Sequence, residues 1–502
     1  MFGRPILLCA GLLAAAIAAA WLRAEPALVP APMPQLAVGQ FYTVESSAAG
    51  GSFDLPLDAG SRYELIVSSL GDANRTRHVT LAAIPRARAE SCPVVRPVAE
   101  LARVRTNASC LNSGEFSDSE KVCQHQREAP ARESVGTSSL ALRVGIPQRR
   151  FFLHVTADAL EDERGYVPVQ GRLAGEGTCV RVYLDHEMRE SDLAAGLIGE
   201  VIRLLDEEII PRSREFLGEH ADVDHDGKLA VLVTPWLGKL CGGRTSLKGF
   251  VRANDFQDNI AAPFGNHADV LYLNSSVETG PALKTLLAHE YTHAVCFSRR
   301  LANAAHAPLP PEEDWLNEAI AHVAENLHGV DSNLDWSNLD RRIAAFLGSP
   351  QTSPLAVRDY YRAGLWRDPG CRGATYLFLR YCVDQFGERL LRDLIDSPAV
   401  GRRNLERATG VMFPELFRRW TIALAQDDIA SVRLHEKIGD CELAGLARRD
   451  WRPEAGPCEI DLRGTTTSRV VLQHSGNEQV VRIVVHGEPA AQLQVTLVRH
   501  AQ

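Results

Sequence analysis

Several features are missing from this 502-residue chain, and each absence removes a class of function. No block of basic residues interrupts it. The net charge of -9 is spread along the chain, which argues against a nucleic-acid partner or an anionic membrane surface. No two cysteines form a CxxC pair, so thiolate zinc sites and dithiol redox motifs have no support. There is no internal repeat. The one biased tract is a Pro- and Ala-rich stretch over residues 25–40, which reads as a linker. A hydrophobic content of 45% with 23% charged residues is that of a globular protein, and the length calls for two or three domains.

Long apolar runs are also scarce, with one exception at the N-terminus. Arg4 precedes a run from Pro5 to Leu22, and Ala18-Ala19-Ala20 offers a small-residue cleavage point, so residues 1–24 read as an export signal. Because Arg23 closes a run just long enough to span a bilayer, an uncleaved anchor is the alternative, and with it the one route to a membrane partner. Of 11 cysteines, Cys9 lies in this segment. The even number that remains suggests disulfides in an oxidising compartment, with Cys441–Cys458 the most local pairing.

What the chain does contain is Ala288-His289-Glu290-Tyr291-Thr292-His293. On a helix, residues four apart share a face, so both imidazoles reach one ion while Glu290 borders them. Pro281 suits the first helical position, and Leu283, Leu286, Leu287, Ala294 and Val295 supply apolar flanks. Two imidazoles and a carboxylate are the core of a catalytic zinc site, in which the Glu takes a proton from water. HExxH also arises by chance, so the weight falls on a second stretch, Asp314-Trp315-Leu316-Asn317-Glu318-Ala319-Ile320-Ala321. It reads as the start of another helix and places Glu318 where a third ligand is needed.

Strand-like alternation runs from Ser52 to Leu57 and from Arg62 to Val67, and less cleanly from Phe151 to Thr156. These place a β-rich N-terminal domain over residues 41–177, with disulfide-tied loops within residues 86–135. Over residues 178–428, strands are expected at Val180–Leu184, Leu229–Val233 and Val270–Leu273. Helices are expected at Asp192–Ile210, where Pro211 ends or kinks the helix, and at Asn338–Leu347, Thr375–Phe386, Arg389–Ile395 and Phe413–Ala425. Three further strands within residues 429–502 suggest a small C-terminal β module. The expected class is α+β, with a strand-rich lobe, a helical lobe and a cleft between them.

HExxH followed on a second helix by a Glu in an Asn-Glu pair resembles the gluzincin zinc metallopeptidases. Trp315-Leu-Asn-Glu-Ala-Ile-Ala, with Glu325 seven residues past Glu318, is similar to the segment several gluzincin families share. The Asp-rich loop, Leu271-Tyr-Leu-Asn and the HEYTH helix most resemble secreted bacterial hyicolysin-type peptidases, over roughly residues 178–425. The resemblance implies zinc on His289, His293 and Glu318, with Glu290 as general base and proton donor, and Glu325 or Asn317 orienting a ligand. It departs from the family in three respects. The gap from His293 to Glu318 is 25 residues, His322 stands where thermolysin-like enzymes place an Asp, and no GxMEN segment appears. The last leans toward an endopeptidase acting on protein or peptide substrates.

Other residues stay open. Tyr360, Tyr361 and Tyr376 are candidates to stabilise an oxyanion. His306 is a rival third ligand, whereas His322 and His328 read as packing or surface residues. Asp222, Asp224 and Asp226 resemble the first half of a calcium loop, but Val233 stands at the twelfth position, so a Ca2+ site and a solvated turn are both open. An extended substrate has Val270–Leu273 as a candidate sheet edge. Two rival functions remain: a surface binding or adhesion protein with an inactive metallopeptidase-like domain, and a zinc hydrolase of a non-peptide amide or ester.

Overall fold

Leu229–Thr234 is an apolar run without alternation, and a strand of that kind needs cover on both faces. It receives it. A computed structural model describes residues 36, 40–44, 50–57, 62–86, 148–156, 160–257, 259–301, 309–329, 338–426, 429, 437–438, 441–442, 445–474 and 479–500. In it Leu229–Thr234 lies between Val180–Asp185 and Val270–Asn274, parallel to both. Val231, Val233, Leu271 and Leu273 face the helices, and Leu232, Val270 and Tyr272 face a second core with Phe151 and Tyr183. The sheet has six strands, in the order Gln148–His154, Tyr166–Glu176, Val180–Asp185, Leu229–Thr234, Val270–Asn274 and Gly249–Val251. Gly249–Val251 is the edge strand and runs antiparallel to its neighbour.

Two of these strands come from the region read as a separate N-terminal domain, so the sheet crosses the expected boundary near residue 178. The rest of that region pairs with the far end of the chain. Arg62–Ser69 lies between Thr466–Gln473 and Leu493–His500, and Thr76–Arg86 between Cys458–Arg463 and Gln479–Gly487. Five-stranded and four-stranded sheets then enclose a core that includes Phe53, Leu55, Leu65, Val67, Leu472, Ile483 and Val495. The regions read as two flanking modules thus share one sandwich. Alternation reveals which face of a strand is buried but not which strand, some 400 residues away, completes it.

Helices follow the sheet, and the class is α+β. The predicted helix over Asp192–Ile210 runs as Leu197–Arg203, a π turn at Leu204–Ile209, and Ile210–Phe216. Pro211 therefore does not end it, because the wider π turn accommodates a residue that has no amide donor. Asn338–Gly348, Pro369–Phe386, Arg389–Ile395 and Phe413–Gln426 match the remaining helical predictions within a few residues, apart from an earlier start at Pro369. Ile422 and Ala425 of the last helix pack on Ile66 and Val498, seating the sandwich against the helical region. Among the described residues no helix is long and apolar enough to cross a membrane.

The disulfide expectation is corrected for the described cysteines. Cys179, Cys241, Cys296, Cys371, Cys382 and Cys458 all carry free thiols, so Cys458 is not bonded to Cys441. Cys296, Cys371 and Cys382 are buried on helices and fill apolar core positions. Burial pushes the Cys296 thiol up to about 12, which leaves it unreactive. Residues 1–35, residues 87–147 with their three cysteines, and His306 lie outside the described residues.

Candidate metal centre

Two helices build the site. Pro281–Leu301 begins at the expected proline and buries Leu283, Leu287, Ala288, Tyr291, Ala294 and Val295. Its far end is held by Arg300, whose buried guanidinium donates to the carbonyls of Pro310 at 2.9 Å, Leu394 at 3.0 Å and Ala399 at 3.0 Å. Pro310 lies on the segment entering the second helix, Asp314–Leu327, so one side chain ties the two helices together. Trp315, Leu316, Ala319, Ile320 and Val323 bury that helix, and Glu318 emerges from it toward the histidines.

His289 Nε2 and His293 Nε2 lie 3.1 Å apart. Glu318 Oε2 is 3.7 Å from the first, and Glu318 Oε1 is 3.6 Å from the second. Three ligands around one zinc at 2.0–2.1 Å would be separated by about 3.3 Å, so the donor set fits that ion. The imidazole pair makes the same point. His289 Nδ1 lies 2.7 Å from Glu325 Oε1 and donates to it, which leaves a lone pair on His289 Nε2 facing His293. Two such nitrogens at this distance repel unless a proton or a cation lies between them. The set is also dry, with side-chain exposures of 12%, 6% and 8% for His289, His293 and Glu318.

Around these donors sits a charged support. Glu325 faces His289, His322 at 3.1 Å and Arg342 at 3.6 Å. Burial works to raise its pKa, but Arg342 and the two histidines outweigh this and hold it well below the usual carboxylate range. Glu318 is likewise held low: burial opposes ionisation, and His293, with His289, outweighs it. His322 is pushed down to about 3 by burial and the charges of Arg342 and Arg372. It is therefore neutral, accepting from Arg372 Nε at 3.1 Å. The carboxylate that reaches His289 is thus Glu325, seven residues beyond Glu318, while His322 lies between Glu325 and Arg372. Asn317 Oδ1 and His293 Nδ1 are both buried without an aligned hydrogen bond. Asn317 acts to raise the His293 pKa, which places the amide beside that ring.

Glu325→Gln should weaken zinc binding by about 10–100-fold, the usual cost of losing such a carboxylate–histidine contact. Glu325→Ala should in addition lower folding stability by about 3–5 kcal/mol, because it strands the buried Arg342. Competition titration against a chelator and thermal melting read the two effects. An unchanged zinc affinity in Glu325→Gln would show that His289 needs no such support.

Glu290 is buried beside these donors. Burial, joined by the charges of Glu318 and Glu325, raises its pKa against the pull of His289 and His293. A carboxylate in this state is a stronger base than one in water. Gly249 of the edge strand faces it: a Cβ there would meet Glu290 Cγ and the Tyr272 carbonyl at 3.2 Å. Sequence reading missed this glycine, whose signal is a close approach that no motif encodes. The free edge beside the site is accordingly Gly249–Val251, not Val270–Leu273, which is paired on both sides.

Of the three tyrosines, Tyr361 stands in the site, donating to Glu318 Oε1 at 2.6 Å. Tyr360 and Tyr376 are core residues, and His328 is a packing residue bonded to Ser213 at 2.9 Å. The Asp-rich loop differs from expectation. Asp226 turns to Arg181 at 2.6 Å, and Asp269, unnoticed in the sequence, joins Asp222 and Asp224 instead.

No model of a known protein family matches the chain. It is 26% identical over 235 residues, 43% of its length, to the neutral metalloprotease ShpI of Staphylococcus hyicus. It spans about half of that curated relative, 49% of whose length is matched.

Proposed function

We propose that this chain is an exported zinc-dependent endopeptidase of gluzincin type, similar to the hyicolysin-type peptidases. The observation that carries the proposal is the convergence of His289, His293 and Glu318 in a buried cluster, with Glu290 on the same helix. The similarity to a neutral metalloprotease supports it, as does the order of a sheet followed by helices, which suits a two-lobe catalytic domain. Export rests on the apolar segment after Arg4.

Zinc held by these residues would polarise a carbonyl and acidify water. The chain's own residues do the rest. Glu290 accepts the proton of the attacking water and returns it to the leaving amine. Glu325 keeps His289 in the tautomer that presents Nε2 to the ion. The edge strand Gly249–Val251 offers backbone groups to an extended peptide, aligning it along the base. Tyr361 brings a hydroxyl to Glu318 and so to the place where a carbonyl oxygen would gather charge.

Incubation with a broad peptide library tests the reading, with cleavage mapped by mass spectrometry. The expected result is cuts at internal bonds, abolished by a chelator and restored by zinc. Trimming from the N-terminus alone would count against an endopeptidase. Full metallation without any cleavage would favour the adhesion reading.

A further inference from the structure

One corner of the β-sandwich is turned inward. The chain passes from Cys458–Arg463 in one sheet to Thr466–Gln473 in the other through two buried residues, Gly464 and Thr465. A Cβ on Gly464 would collide with the backbone of Gly71, Asp72 and Ala73 at the neighbouring corner. Thr465 has a φ of 55°, a left-handed conformation that a β-branched residue rarely adopts. Glycine would adopt it without strain. What threonine adds is a hydroxyl. Its Oγ1 accepts from the buried amide of Ala356 at 3.0 Å, and its carbonyl accepts from Leu355 N at 3.2 Å. Arg463 N donates to the Gln351 carbonyl at 3.3 Å, so the corner grips both ends of residues 351–356.

The segment held in this way is the one that carries Tyr361. Residues 349–368 join Asn338–Gly348 to Pro369–Phe386 and contain no helix or strand apart from a 3-10 turn at Leu365–Arg367. A connection of that length has little regular structure of its own to fix its side chains. Leu355, Val357 and Tyr360 are buried in the core that includes Leu287, Ala288 and Trp315 of the two site helices. Around Tyr361 the backbone bonds are local: Gly364 N donates to the Tyr361 carbonyl at 3.0 Å and Leu365 N to that of Tyr360 at 3.1 Å. Those bonds shape the turn. The grip of the sandwich corner, five residues before Tyr361, sets where the turn sits.

We infer that the sandwich completes the candidate active site, with Thr465 as a positioning residue that brings the Tyr361 hydroxyl to Glu318; what that hydroxyl then does rests on the peptidase reading above. A residue kept in a sparsely populated backbone conformation is over-determined by its surroundings, and such residues gather where function needs an exact placement. Here the placement is that of a donor 2.6 Å from Glu318 Oε1. A reacting group displaced by about 1 Å can cost about 10²-fold in rate, so a hydroxyl on an irregular segment needs an anchor of this kind. The sandwich is then part of the catalytic unit rather than an appendage to it.

Thr465→Gly in the full, zinc-loaded chain tests this, because it removes the hydroxyl while relieving the backbone. Hydrogen exchange over residues 354–362, read by mass spectrometry, should quicken about fivefold or more, since the buried Ala356 amide loses its acceptor. On peptide substrates kcat should fall about 10–100-fold, with KM and zinc content near wild type. Thr465→Ser, which keeps the hydroxyl, should restore both exchange and rate. In a Tyr361→Phe background Thr465→Gly should cost less than about twofold, because the group it positions is gone. If Thr465→Gly does not fold, Thr465→Ala makes the same comparisons. Unchanged exchange over residues 354–362 would overturn the inference. So would an unchanged kcat, a Thr465→Ser enzyme as slow as Thr465→Gly, or a loss undiminished in the Tyr361→Phe background. A wild type that cleaves no peptide removes the peptidase reading instead, and the exchange measurement still decides whether Thr465 holds the segment.

Discussion

Glu290→Gln should retain its zinc and its melting temperature while losing peptide cleavage by about 10²–10⁴-fold. Glu290 lies outside the proposed ligand set of His289, His293 and Glu318, so the hold on an ion there should not depend on it. The substitution keeps the side-chain volume, which matters where Gly249 already approaches Glu290 Cγ so closely. It also replaces a carboxylate whose ionised form burial disfavours, so a neutral amide is at least as well accommodated. On the proposed mechanism, what disappears is the basicity that would remove a proton from water and later deliver it to the amine. Because both halves of the reaction use that group, the loss should appear in kcat with KM little changed. Cleavage rate, bound zinc and melting temperature, measured side by side, decide the matter. A rate within a few fold of wild type would refute Glu290 as the base.

Local pattern made much of this site readable. Residues four apart on a helix share a face whatever the rest of the fold does, so His289 and His293 could be placed together from spacing alone. Glu318 needed a second helix to fold back on the first, and the Trp315-to-Ala321 stretch resembled a segment that does so. The support residues were less visible. Glu325 and His322 lie on the same helix as Glu318, yet only packing decides that Glu325 reaches His289 while His322 is wedged between Arg342 and Arg372. Asp269 and Gly249 carry no local signal at all. Each matters because of what a different strand brings beside it. The sandwich belongs to the same class: the alternation in Ser52–Leu57 and Arg62–Val67 was legible, but their partners lie beyond residue 460.

Tyr361→Phe should lower kcat by about 10²–10³-fold, the cost of removing one donor from an oxyanion site, with zinc content and KM nearly unchanged. The Tyr361 hydroxyl donates to Glu318 Oε1 at 2.6 Å, so it stands at the edge of the metal cluster with its ring partly open to solvent. Burial of the hydroxyl, with the charge of Glu318, holds its pKa well above the ordinary tyrosine value, so it remains a donor throughout the neutral range. Two roles are compatible with that position and predict different losses. If the hydroxyl only steadies Glu318, its removal weakens zinc binding and leaves kcat of the loaded enzyme intact. If it turns to a carbonyl oxygen as negative charge gathers there, the loss falls on kcat while the ion stays bound. The second role is expected, because Glu318 already has His293 and His289 to hold it ionised. Tyr360→Phe is the control, since that neighbouring hydroxyl is buried in the core and should be dispensable for turnover. A Tyr361→Phe enzyme with full kcat and weakened zinc affinity would return Tyr361 to a supporting role and leave the oxyanion donor to be sought elsewhere in the cleft.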